Sequence, residues 1–239
     1  MAHALRASRE PLVARSAIGN PVTPLPAAHY FKEEAVGEWT RIGDKHRLRD
    51  QQFLRILSLW FRPGSILEIG AATGQLSWIL SRHGYDVLAS DYSPALVNAI
   101  KARGVRSAVV DATANIRDQT GRVFANVLAQ NVLPLIWRDK NVLTSTLAAI
   151  HDVLEPGGRL VCISAHPRSE KHPESYFTPR EQIEIAVASG LFRLLAAFPH
   201  QVIPTAWYRT WNARLFNLLD FHAAHIFSIR LVWVMEKIG

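Results

Sequence analysis

Ile66-Leu67-Glu68-Ile69-Gly70-Ala71-Ala72-Thr73-Gly74-Gln75 passes from an apolar run into a turn of small residues, and its reading decides the fold. The apolar residues up to Ile69 predict a short buried strand. From about Gln75 to Arg82 the pattern becomes that of an amphipathic helix. Between them Gly70 and Gly74 carry no side chain, so the turn can take positive φ and let backbone pass close to a ligand. The helix that follows offers unpaired N–H groups and a partial positive charge to an anionic group. Strand, tight turn and helix in this order bind a nucleotide-like cofactor at the carboxyl end of a parallel sheet.

The turn is selective about which cofactor. A dinucleotide fingerprint needs G-x-G-x-x-G, and those positions hold Gly70, Ala72 and Gln75, so its third element fails. A Walker loop fails as well, because no Gly-Lys-Ser/Thr follows. The residues downstream repeat one theme, an apolar strand ending in a polar group. Asp86 to Asp91 forms a second strand, followed by Tyr92-Ser93-Pro94 and a helix to about Arg103, with Ser93 as N-cap and Pro94 at the first helical position. An acid about 20 residues beyond a glycine loop suits ribose hydroxyls, which makes Asp91 the candidate. Arg106 to Val110 forms a third strand that ends in Asp111-Ala112, and Phe124 to Ala129 a fourth that ends in Gln130-Asn131. Leu154-Glu155-Pro156-Gly157-Gly158 then turns into a fifth strand, Leu160 to Ser164.

Glu68-x-Gly70-x-Ala72-x-Gly74, the strand-end acids and the Leu-x-Pro-Gly-Gly turn resemble class I S-adenosylmethionine-dependent methyltransferases, most strongly over residues 60 to 165. Ala72 stands where that family has its middle glycine, a departure that narrows the turn without blocking it. The resemblance implies S-adenosyl-L-methionine as cofactor, held by Glu68, Gly70, Ala72, Gly74, Asp91, Tyr92, Asp111, Ala112, Gln130 and Asn131, with Asp111 receiving the adenine amino group. It also implies an α/β fold: a Rossmann-like, doubly wound, seven-stranded and mostly parallel sheet in a three-layer sandwich. The last strand would be antiparallel, giving the order 3-2-1-4-5-7-6, with a helical cap at the N-terminus.

The remaining chain fits this frame. Residues 1–28 hold prolines 11, 21, 24 and 26 and no lasting periodicity, which predicts a flexible tail. Residues 29–239 then form a single methyltransferase domain: a helical cap over 29–61, a cofactor-binding core over 62–164 and a substrate-side part over 165–239. Phe53, Leu54, Ile56, Leu57 and Trp60 make an apolar helical stripe at the end of the cap. Strands and helices alternate from 62 to 164, with a helix from Asn141 to Leu154. Thr178-Pro179-Arg180-Glu181 is a capping box opening a helix that stops at Gly190. Leu191 to Phe198 and Phe227 to Met235 are the last strands.

Composition excludes several other functions. The lone cysteine, Cys162, falls inside a predicted strand, which opposes disulfides and suits a cytoplasmic location. No apolar run approaches the ~18 residues of a transmembrane segment. The ten histidines show no metal-binding spacing, and the pair His222 and His225 lacks a carboxylate partner, so no metal is expected. The net charge of +7 permits attraction to nucleic acid, yet the basic residues are scattered. The fourth-strand sequence Gln130-Asn131-Val132-Leu133-Pro134-Leu135 also lacks the Asn/Asp-Pro-Pro-aromatic stretch common in enzymes that methylate DNA bases.

Methyl transfer from a sulfonium is governed by positioning and exclusion of water, so no universal catalytic residue is expected. The best candidate for a general base is His166, just past the fifth strand. Tyr30 and Trp39 in the cap, and Tyr208, Arg209 and Trp211 in the C-terminal part, are the candidates for an acceptor pocket. The expected protein is a monomer or homodimer that methylates a small organic acceptor. The alternatives are an RNA or protein methyltransferase, motivated by charge, and a non-catalytic S-adenosylmethionine-binding regulatory protein, motivated by the lack of an obvious base.

Overall fold

The computed structural model describes residues 53–133, 139–165, 177–200 and 230–239. Seven strands form one sheet: β1 (Ser65–Ile69), β2 (Asp86–Asp91), β3 (Ser107–Val109), β4 (Phe124–Gln130), β5 (Leu154–Ala165), β6 (Phe192–His200) and β7 (Arg230–Lys237). Their order is β3-β2-β1-β4-β5-β7-β6, as expected. The first five run parallel, while β7 pairs antiparallel with both β5 and β6. The helices are α1 (residues 53–60), α2 (Gln75–Arg82), α3 (Pro94–Ala102), α4 (Ile116–Thr120), α5 (Lys140–Val153) and α6 (Pro179–Ala188).

The central strands are apolar along their whole length because both faces are covered. Alternate residues enter different cores. Leu67, Ile69, Val127, Ala129, Leu160, Cys162, Trp233 and Met235 pack with Leu143, Leu147, Ile150 and Val153 of α5 and Ile116 of α4. Their neighbours Ile66, Leu128, Val161, Ile163, Val232 and Val234 pack with Phe53 and Leu57 of α1 and Leu76 and Leu80 of α2. The predicted stripe on α1 is therefore the face that meets the sheet. Cys162 is buried, which pushes its thiol pKa well above the usual value and keeps it inert.

Local signals set most element ends. Ser93 Oγ accepts the Leu96 N–H at the start of α3, and Asp139 Oδ1 accepts from Asn141 and Val142 at the start of α5. Thr178 and Glu181 make the expected capping box. Several strand boundaries differ from expectation. β5 begins at Leu154 rather than Leu160, because Leu154 already pairs with Phe124 before Glu155 to Gly158 bulge out and pairing resumes at Asn126 and Arg159. β6 continues past Phe198 to His200, where it still pairs with Arg230. The described last strand starts at Arg230; residues 227–229, placed in it by sequence, lie outside the described residues.

At the amino ends of the strands, buried Asn126 accepts the Arg62 N–H at 2.8 Å and donates to the Arg62 carbonyl at 2.9 Å. Arg159 donates to the Trp60 carbonyl at 2.7 Å, which ties the end of α1 to β5. Among the described residues no helix is long and apolar enough to cross a membrane.

Candidate functional site

At the carboxyl ends of β3, β2, β1 and β4 stand, in spatial order, Asp111, Asp91, Gly70 and Gln130-Asn131. The chain leaves β1 towards β2 on one side and reaches β4 on the other only after β3, so the strand order reverses between β1 and β4. Ligands of open α/β sheets bind at such a switch point.

The turn after β1 is braced by β2. Gly70, Ala72 and Gly74 have φ of 65°, 51° and 71°. Ala71 N–H donates to the Ser90 carbonyl at 2.8 Å, and Ala72 N–H donates to Asp91 Oδ2 at 2.9 Å. Ala72 is thus a left-handed residue with a side chain, a conformation that costs roughly 1–2 kcal/mol without glycine. Asp91 offsets part of that cost by taking its N–H. A Cβ added to Gly74 would stand 2.9 Å from Ile100 Cγ2, so this glycine lets α3 approach the loop closely.

Glu68 is 2% exposed, and its carboxylate accepts the Ser77 hydroxyl, joining β1 to α2 beneath the turn. Ser77 was not legible as a functional residue, since a serine in the first turn of a helix has many ordinary uses. Helix α2 opens at Gly74 with no side-chain cap, whereas α3, α4, α5 and α6 are capped by Ser93, Asn115, Asp139 and Thr178. Its first-turn amides therefore have no side-chain acceptor from the cap position.

The two acids differ in setting. Asp91 is buried, which raises its pKa from 3.8 to about 6, against the opposing pull of the Ser93, Ala72 and Tyr92 N–H groups. Asp111 is half-buried; its Oδ1 accepts the Thr113 N–H at 2.8 Å and the Thr113 hydroxyl at 2.6 Å. Tyr92 is exposed beside Asp91, and Ala112 packs on the core behind Asp111. On the other side of the crevice Asn131 turns with φ 56° and its N–H donates to the Ile163 carbonyl at 2.8 Å. Val132 follows it and fills the space above Gly70. Nothing in the local sequence distinguishes this valine.

These residues fit S-adenosylmethionine. Glycines at 70 and 74 let Val132 and Ile100 pack close to the turn, the carboxylates of Asp91 and Asp111 offer acceptors to hydroxyl and amino donors, and a helix start without a side-chain cap suits a carboxylate. His166, Tyr30, Trp39, Tyr208, Arg209 and Trp211, together with His222 and His225, lie outside the described residues. Among the described residues no group of three or more metal-ligating side chains occurs.

Residues 67–160 match the family model described as a methyltransferase domain. No curated protein matches the chain. Among solved structures, it is similar to a TehB-like S-adenosylmethionine-dependent methyltransferase from Corynebacterium glutamicum, at 22% identity and TM-score 0.59, over 88% of this chain and 99% of that one. The N-methyltransferase NodS from Bradyrhizobium japonicum, in complex with S-adenosyl-L-homocysteine, gives 18% and 0.57 over 81% and 87%. Magnesium protoporphyrin IX methyltransferase from Synechocystis, with bound S-adenosylmethionine, gives 13% and 0.54 over 85% and 84%. At such identities the structures speak for the fold, and the domain match speaks for residues 67–160. Residues 67–160 thus match a methyltransferase domain, within a fold that the chain shares with S-adenosylmethionine-dependent methyltransferases of known structure.

Proposed function

We propose that this enzyme methylates a small organic acceptor. The observation that carries the reading is the sequence at the acceptor side of the crevice: β4 runs into Gln130-Asn131-Val132-Leu133-Pro134, without the stretch that clamps a DNA base. The protoporphyrin enzyme, a fold neighbour, bears a small organic acceptor in its name. Charge argues the same way, because several arginines of the core are engaged locally: Arg106 and Arg122 both pair with Asp86, and Arg117 with Asp152.

S-Adenosylmethionine, when bound, supplies a methyl group on a positively charged sulfur that leaves readily. The chain's part is to hold and orient. Asp91 would accept the ribose hydroxyls and Asp111 the adenine amino group, and Tyr92 and Ala112 would flank the adenosine half. The turn from Gly70 to Gly74 would lie beside the amino-acid arm and the first-turn amides of α2 would meet its carboxylate, with Glu68 supporting the turn from below. Gln130 and Asn131 close the crevice on the β4 side. Tyr30, Trp39, Tyr208, Arg209 and Trp211 are the proposed acceptor-binding residues, and His166 is the proposed base for the acceptor's proton.

The test is incubation with methyl-labelled cofactor against pools of small amines, alcohols and carboxylic acids, and against RNA and protein pools at low and moderate salt. Label in the small-molecule pool supports the reading. Label confined to RNA, falling steeply with salt, replaces it with the nucleic-acid alternative. Cofactor binding with no transfer to any pool favours the regulatory one. With the acceptor in hand, His166→Ala is expected to cost roughly 10² to 10⁴ in rate.

A further inference from the structure

We propose that Val132 is a positioning residue for the amino-acid arm of the cofactor, acting by holding the Gly70 backbone from across the crevice. The proposal rests on the cofactor reading above and gives a role to a residue which that reading leaves unused. Asp91 and Asp111, at the ends of β2 and β3, would take the adenosine half, so the other half would extend over β1 towards β4.

There the site carries no side chain from β1. The position that a Gly70 Cβ would take is filled by Val132: such a Cβ would run into Cγ2 and stand 3.4 and 3.5 Å from Val132 Cβ and Cγ1. The contact joins the two strands between which the order reverses, β1 and β4, paired in parallel up to Ile69 and Ala129. Val132 is itself held from both sides in sequence. Asn131 donates to the Ile163 carbonyl on β5 at 2.8 Å, and Leu133 is buried in the core. Its branched side chain is stiff at χ1 and does not swing aside freely. The turn is therefore gripped from two sides, by Ser90 accepting from Ala71 and Asp91 accepting from Ala72 on the β2 side, and by Val132 on the β4 side. Loosening the second grip lets Gly70 shift without disturbing Asp91.

Calorimetry with two probes tests this. S-Adenosylhomocysteine carries the amino-acid arm, and 5′-methylthioadenosine has the same adenosine half without it. Val132→Ala is expected to weaken S-adenosylhomocysteine binding at least fivefold and to leave methylthioadenosine within twofold. Gly70→Ala is expected to lose S-adenosylhomocysteine binding, and adding Val132→Ala to regain at least tenfold over Gly70→Ala alone, because the colliding methyl groups are gone. Should Gly70→Ala not fold, recovery of a cooperative melting transition in the double variant is the same result read as stability. Equal weakening of both probes by Val132→Ala overturns the proposal and leaves general packing. So does a double variant no better than Gly70→Ala. A wild-type protein that binds neither probe overturns the cofactor reading beneath it, an outcome distinct from both.

Discussion

The backbone N–H of Ala72 donates to Asp91 Oδ2 at 2.9 Å, so the acid that ends β2 braces the turn that follows β1. Its other oxygen, Oδ1, accepts the Ser93 N–H at 3.0 Å and shapes the entry to α3. One buried carboxylate thus orders two loops and keeps the acceptor capacity for a ligand.

Asp91→Ala removes both the brace and the ligand acceptor. S-Adenosylhomocysteine affinity is expected to fall by about a hundredfold, on the order of 2–3 kcal/mol for charge-assisted hydrogen bonds. Asp111→Ala, with one adenine contact at stake, is expected to cost less than about tenfold. Calorimetric affinity equal to wild type in Asp91→Ala would remove that residue from the site.

Burial raises the Asp91 pKa from 3.8 to about 6, and the sign has opposite consequences for the free protein and its complex. In the unfolded chain the carboxyl ionises first, so Asp91's contribution to stability is fully present below pH 3.8 and is lost as pH rises through about 6. The loss over that window is about 3 kcal/mol. Ligand binding runs the other way, because the ionised carboxylate is the better acceptor for ribose hydroxyls. S-Adenosylhomocysteine is expected to bind several-fold more tightly at pH 7 than at pH 5, and Asp91→Asn to flatten that dependence. A flat wild-type profile would place the ribose elsewhere.

Ala72 holds φ 51° with a Cβ present. Ala72→Gly relieves that strain and is expected to raise stability by about 0.5–1 kcal/mol in denaturant unfolding. Its N–H to Asp91 survives, so S-adenosylhomocysteine Kd should stay within about threefold, under roughly 1 kcal/mol. Destabilisation by the glycine would mean that the alanine methyl packs usefully.

Asn126 lies at the opposite end of the strands from the site and answers both Arg62 backbone groups. Asn126→Leu leaves that N–H and carbonyl unpaired in a buried place and is expected to cost about 2–4 kcal/mol of stability. Cofactor affinity of the folded fraction should not change. A drop in affinity without loss of stability would contradict the separation of the two ends.

The glycine turn, the capping box of Thr178 and Glu181, the Ser93 cap and the strand-end acids were legible because each depends on neighbours along the chain: a residue without Cβ, a hydroxyl three positions before an amide, an apolar run of the right period. The strand order was legible only by resemblance, since periodicity says nothing of which strands pair. By itself the sequence determined a nucleotide-type turn on a parallel α/β sheet with acids at the ends of successive strands. Tertiary structure alone decided that Leu154 already pairs with Phe124, that Glu68 is engaged by Ser77, that burial brings Asp91 towards neutrality, and that Val132 fills the place of a Gly70 side chain. Those outcomes depend on which strands lie side by side and on how much water is left between them, and both arise only when distant segments pack.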